Sequence, residues 1–248
     1  MIIWITGAST GIGRSLALKY CENGASVFAT ARSANKLKQL EKDAENLKGS
    51  LYIFSADVTN QSDIEQAYVW LVQHLGTPDK VILNAGTYFP TPAATLNAEE
   101  HGKIMDVNYM GVLNCMETIL PTMRENKAGQ IAIVASVAGY RGLPNASAYS
   151  ASKAALIAFS ESLKEDLKSD DIDLKLINPG FVKTPLTDQN DFSMPFLMHV
   201  EDAVETIING LEKKAFEIAF PTPFALIMKL LNILPNWAYF AVARKIVR

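Results

Sequence analysis

The sequence predicts an α/β fold, a doubly wound parallel sheet of about seven strands with helices on both faces. Three observations predict it. Short β-rich apolar runs recur at 2–5, 26–29, 51–54, 80–83, 130–134, 173–177 and 217–220. Segments of helical periodicity lie between most of them, at 11–21, 34–47, 62–75, 99–124, 148–167 and 200–211. A glycine-rich turn follows the first run directly. Parallel strands need a long connection and a helix supplies it, so this alternation is what βαβ crossovers produce. In such sheets ligands bind beyond the carboxyl ends of the strands, and motifs placed just after strands therefore carry the functional argument.

No linker, internal repeat or low-complexity tract interrupts the 248 residues, so a single domain over 1–248 is expected, with Pro/Gly clusters marking loops at 139–144, 179–180 and 221–223. Apolar residues make up 49% and charged residues 20%, which fits a globular enzyme and argues against disorder. A net charge of −3 and an isoelectric point near 5.7 leave no basic footprint for nucleic acid. Cys21 and Cys115 sit in apolar segments without metal or redox spacing and read as core thiols. His74, His101 and His199 are scattered, so no metal site is expected. The apolar stretch 2–5 is too short for a signal peptide, and a cytoplasmic location is the expectation.

The turn after the first run reads Thr6-Gly7-Ala8-Ser9-Thr10-Gly11-Ile12-Gly13 and opens a helix. Glycines let the backbone approach a pyrophosphate, and the free amides of a helix start attract its charge. No Gly-Lys-Ser/Thr closes the turn, and its glycines depart from the G-x-G-x-x-G pattern; the competing reading is plain helix-start punctuation. A site for NAD usually ends its second strand with an acid for the ribose 2′-hydroxyl. Here that place reads Phe28-Ala29-Thr30-Ala31-Arg32, with no acid before Glu41. Arginine attracts a 2′-phosphate, so NADP(H) is favoured over NAD(H); the competing reading of Arg32 is a solvated loop arginine. Arg14, just after the last glycine, either assists or points to solvent.

Tyr149 precedes Lys153 by one helical turn, which puts both side chains on one face if the helix has begun there. An ammonium beside a phenol favours its ionised form, so the pair could trade a proton near neutral pH. Ser136, after the fifth run, could donate to a substrate oxygen and stabilise charge developing there; its plainer reading is a strand-end serine.

With the turn, Ser136 and Tyr149-x-x-x-Lys153 in order, the chain resembles the short-chain dehydrogenase/reductase family in its compact, Rossmann-like single-domain branch, from residue 2 to about residue 184. The resemblance implies cofactor contacts at Gly7, Ser9, Thr10, Gly11, Ile12, Gly13 and Arg32. It assigns the adenine side to Asp57 and Val58, the competing reading of Asp57 being a helix-start cap before Thr59, and the lining of the adenine ribose to Asn84, Ala85 and Gly86. Asn108 matches an asparagine that bends the long helix and holds a water linked to the lysine. Pro179, Gly180, Val182 and Thr184 match the segment at the nicotinamide carboxamide. Tyr149 would exchange the proton, with Ser136 on the substrate oxygen, and Lys153 would hold the nicotinamide ribose and lower the tyrosine pKa. One departure stands out: NADP-preferring relatives commonly carry a basic residue where this chain has Thr10.

The resemblance places a variable substrate lid at 185–212. Its Leu186, Phe192, Met194, Pro195, Phe196, Leu197 and Met198 suggest a hydrophobic carbonyl or alcohol substrate, unless they merely pack on the next helix. The tail, 221–248, reads as two apolar helices, 224–234 and 237–246, split by Pro235, with Lys229, Arg244, Lys245 and Arg248 as its cations. Its longest charge-free run, 230–243, falls short of the ~20 residues a bilayer span requires. A subunit interface in a homo-oligomer (dimer or tetramer), a cover over a lipophilic pocket, and peripheral docking on a membrane all remain open for it. Two rival functions stand beside the oxidoreductase. One is a non-catalytic NADP(H)-binding sensor or scaffold, which has no need of the full Asn108, Ser136, Tyr149, Lys153 set. The other is a nucleotide-sugar epimerase or dehydratase, for which too few residues follow Thr184.

Overall fold

The computed structural model describes residues 1–189 and 193–246. One parallel sheet runs through it in the order β3-β2-β1-β4-β5-β6-β7. Its strands are β1 (Ile2–Thr6), β2 (Ser26–Ala31), β3 (Ser50–Ser55), β4 (Lys80–Leu83), β5 (Gln130–Val134), β6 (Asp173–Pro179) and β7 (Glu217–Phe220). The chain winds outward from β1 to β3 and then crosses back to place β4 on the other side of β1, so the order reverses between β1 and β4. A crevice at the carboxyl ends of these strands follows from that reversal.

Period-two alternation sorts the side chains to the two faces. Along β1, Ile3 and Ile5 join one core with α1 (Gly11–Glu22), α2 (Ala34–Ala44) and α7 (Val200–Leu211), through Leu16, Leu37 and Ile207. Trp4 points to the other core with α3 (Gln61–His74), α5 (Gly111–Asn126) and α6 (Ser147–Ser169), through Ile64, Ile119 and Leu156. The same switch occurs in β5, where Ile131 and Ile133 face the second core and Ala132 and Val134 the first. Cys21 and Cys115 are buried, and burial pushes their thiols up to about 11 and about 12, which suits core packing better than reactivity.

The expected single helix over 99–124 is instead α4 (Ala98–Met105) and α5, joined by a wider π turn at Asp106–Met110. Its cause is Asn108, whose buried side chain is engaged sideways: the Thr87 N–H donates to its Oδ1 at 2.7 Å, and its Nδ2 donates to the Thr87 carbonyl and to Ser152 Oγ. Gly111 allows close approach there, since an added Cβ would lie 2.6 Å from Val58 Cγ2. The tail forms α8 (Thr222–Ile233) and α9 (Asn236–Ile246) around Pro235. Among the described residues no helix is long and apolar enough to cross a membrane.

Candidate active site

A cleft of about 1850 Å³ opens along the carboxyl ends of the strands. That exceeds the ~300–1,000 Å³ of ordinary ligand pockets and accommodates an extended cofactor together with a second molecule. Its floor is the β1–α1 turn. Gly7 adopts φ +66°, and a Cβ there would sit 2.6 Å from Ala85 Cα, so only glycine lets the turn lie against the segment after β4. Asn84 fastens the turn from the other side: its Nδ2 donates to the Thr6 and Gly7 carbonyls at 3.0 and 3.2 Å. Thr6 Oγ1 accepts from the backbone N–H groups of Asn84 and Ala85. The first turn of α1 has neither a side-chain cap nor an acid, which leaves its amides for an anion.

Most of the residues expected at the cofactor line this cleft: Gly7, Ser9, Thr10, Gly11, Ile12, Arg32, Asp57, Val58, Asn84, Ala85, Gly86, Pro179, Gly180, Val182 and Thr184. Gly13 lies behind the turn, where an added Cβ would come within 2.4 Å of Asn84 Nδ2 and 2.6 Å of the Gly7 oxygen. Asp57 has a local partner as well, its Oδ1 accepting from Thr59 N and Oγ1, while its Oδ2 stands 3.9 Å from Arg32 Nη1. Arg14 pairs with Asp43 of α2 and does not line the cleft.

Ser33 and Lys36, which sequence reading missed, line the cleft beside exposed Arg32. Ser33 is the N-cap of α2 yet makes no side-chain capping bond, and that helix has no acid in its first turn. The Arg-Ser-x-x-Lys spacing at a helix start was the signal that could have found them.

The chemistry-bearing groups meet on the opposite wall. Tyr149 and Lys153 project from the first turns of α6, and Ser136 follows β5. All three line the cleft. Ser136 Oγ donates to the Pro179 carbonyl at 3.2 Å and accepts from the Ala138 N–H at 3.1 Å, which holds it at the end of β6. Lys153 Nζ donates to the Val134 carbonyl at 2.9 Å and lies 5.7 Å from the centre of the Tyr149 ring. Asn108 is fully buried beneath them, and a Cβ built on Gly86 would be 3.4 Å from its Oδ1 and 3.6 Å from Lys153 Nζ. Ser152 links the layers, taking the Asn108 amide bond and donating to the Tyr149 carbonyl at 2.8 Å. Tyr88, a second ring missed by sequence, meets Tyr149 edge-on at 5.2 Å.

One expectation is corrected here. Burial pushes the Tyr149 phenol up, to about 12, rather than down; a hydrogen bond with Ser136 opposes the shift without cancelling it. Burial also brings the Lys153 ammonium down to about 8. Desolvation disfavours charge on both groups, and one helical turn of separation does not offset it in this arrangement.

Of the apolar residues expected in the lid, Leu186, Pro195 and Phe196 line the cleft, while Met198 packs against the core and Leu197 is exposed. Met194 does not line it. Phe192 lies outside the described residues, as does Arg248. Within 185–212, α7 packs against α1 in the core, so only the stretch before Val200 borders the cleft.

The short chain dehydrogenase family model matches residues 1–193. An uncharacterized oxidoreductase of Myxococcus xanthus is 38% identical over 242 residues, covering 98% of this chain and 96% of that one. Among solved structures, a short chain dehydrogenase/reductase of Burkholderia phymatum in complex with NAD superposes with a TM-score of 0.85 at 21% identity, over 92% of each chain. A short-chain dehydrogenase of Sphingobium yanoikuyae in complex with NADPH gives a TM-score of 0.81 at 20% identity, over 95% of this chain and 96% of that one. The chain belongs to the short-chain dehydrogenase/reductase family. It is an NAD(P)-dependent oxidoreductase acting on CH–OH or carbonyl groups.

Proposed function

We propose that this enzyme interconverts a hydrophobic carbonyl compound and its alcohol with NADP(H), and that Tyr149 is the residue that gives and takes the proton. The observation that carries this reading is the meeting of Ser136, Tyr149 and Lys153 on one wall of a cleft whose floor is an open, glycine-built anion site.

The residues present suit a dinucleotide. The Gly7–Gly13 turn and the uncapped start of α1 fit a pyrophosphate; Pro179 and Gly180 also line the cleft, and Thr184 lies against the turn itself, 3.2 Å from a Cβ built on Gly11. Solved neighbours carry NAD and NADPH alike, so preference between them falls to the side chains at the second strand. Arg32, Ser33 and Lys36 gather there around the start of α2, with no acid in its first turn, a set suited to a 2′-phosphate. When bound, the nicotinamide supplies or accepts the hydride.

The chain's own groups do the rest. At neutral pH a phenol held up at about 12 keeps its proton, which is the form that can donate to a developing alkoxide, while Lys153 stays charged below about 8. Ser136 can turn its hydroxyl from Pro179 to the substrate oxygen and stabilise charge there. Asn108 and Ser152 hold the Tyr149 backbone in place.

Hydrophobic substrates are supported by the lining beyond Tyr149, which includes Leu143, Phe181, Phe196, Phe224, Met228 and Leu231. The test is turnover of a panel of lipophilic ketones and of small polar sugars, run with NADPH and NADH side by side. Turnover of the ketones with NADPH preferred is expected; activity confined to sugars, or to NADH, contradicts the proposal.

A further inference from the structure

Three consecutive residues of the loop between Ser136 and Tyr149 grip the tail. The Tyr140 hydroxyl donates to Glu217, which also pairs with Lys229 of α8, and Lys229 lies over the Tyr140 ring at 5.6 Å. Arg141 reaches the turn between the two tail helices: Nη1 donates to the Asn232 and Leu234 carbonyls at 2.7 and 3.1 Å, and Nη2 to Asn236 Oδ1 at 2.6 Å. Its guanidinium also stacks 4.4 Å from the centre of the Tyr239 ring, and the Tyr239 hydroxyl donates to the Gly142 carbonyl.

These contacts meet a specific need. A helix leaves its last carbonyls without partners, and Pro235 has no N–H to offer them. A planar fork with several donors satisfies two such carbonyls and a side-chain amide together, which an ammonium cannot do as well. The inner face of the seated hairpin presents Phe224, Ile227, Met228, Leu231, Tyr239 and Val242 to the cleft. The hairpin is therefore attached to the same loop that carries Ser136 at one end and leads into Tyr149 at the other.

We propose that residues 140–142 form a clasp centred on Arg141, and that the α8–α9 hairpin it seats is the wall that selects a long alkyl chain on the substrate. Arg141 is a positioning residue, acting through the hairpin. The inference rests on the cleft being a carbonyl/alcohol site.

The test is a homologous series from 2-butanone to 2-decanone with NADPH. For the native enzyme, kcat/KM should rise about fourfold for each added methylene until the wall is filled, the factor expected when a CH₂ leaves water. In Arg141→Ala the rise should fall below about twofold per methylene, with the change carried by KM. Arg141→Lys should lie between, because a lysine reaches one acceptor but not three. Leu231→Ala, which leaves the clasp intact, should flatten the series as well, and it serves as the second variant if circular dichroism shows Arg141→Ala to be unfolded. The native slope persisting in folded Arg141→Ala, or in Arg141→Lys if the alanine variant is unfolded, overturns the clasp; its persistence in Leu231→Ala overturns the wall. Native turnover that is equal for all chain lengths overturns the alkyl-selecting wall while leaving the oxidoreductase reading intact. No turnover of any ketone, with NADPH still bound, overturns that reading and the clasp with it.

Discussion

Lys153 donates from a buried ammonium to the backbone carbonyl of Val134, at 2.9 Å, the last residue of β5. This bond fixes the charge beneath Tyr149 but supplies no counter-ion, and burial alone sets the direction of the lysine's shift.

A pH dependence of stability follows. The folded-state value of about 8 lies below the ordinary 10.5, so between these values the unfolded chain binds more protons than the folded one. Stability from this group is therefore gained as pH rises from about 8 toward 10.5, by up to about 3 kcal/mol. Buried phenols and thiols shift the other way at alkaline pH, so the comparison is with Lys153→Met. Denaturant unfolding at pH 8 and pH 10 should show the native protein gaining relative to the variant; a constant difference contradicts the assignment.

Asn84→Ala should loosen the phosphate turn. It removes two part-buried donors to Thr6 and Gly7 carbonyls, at a cost of ~1–3 kcal/mol in stability. NADPH fluorescence titration should show weaker binding at the same time. Unchanged affinity would mean that the turn holds its shape without Asn84.

The Arg32→Ala, Lys36→Ala double variant should lose its preference for NADPH. Charge-assisted bonds to a phosphate contribute ~1.5–3 kcal/mol each, so the ratio of kcat/KM for NADPH over NADH should drop by tenfold or more. An equal drop with both cofactors would place these cations elsewhere in the reaction.

Two glycines should respond with opposite signs. Gly102 lies within α4, and nothing stands within 4 Å of an added Cβ, so Gly102→Ala should stabilise by ~0.5–1 kcal/mol. Gly13→Ala forces a Cβ to 2.6 Å from the Gly7 backbone oxygen and should destabilise by more than that amount. Thermal unfolding reads both, and a gain at Gly13 would contradict the packing described.

The fold was legible because the alternation of short β-branched runs with helical segments is a local signal, and β4, β5 and β7 fall at the expected residues. The Gly7–Gly13 turn and the Tyr149, Lys153 pair were legible for the same reason, since their partners are near in sequence. What stayed hidden depends on distant partners or on burial. The π turn at Asn108 arises from Thr87 and Ser152, Arg141 serves carbonyls more than ninety residues away, and Tyr88 reaches Tyr149 only in the folded chain. Spacing showed that a cation would stand near a phenol; it did not show that both would be desolvated, which reverses the expected shift of Tyr149.

The most direct test is Tyr149→Phe, assayed at saturating NADPH with a lipophilic ketone that the native enzyme reduces. Removing a proton donor at this position should lower kcat by ~10²–10⁴-fold while leaving NADPH affinity within about threefold. A variant that turns over as fast as the native enzyme would contradict the account, because the proton would then come from another group.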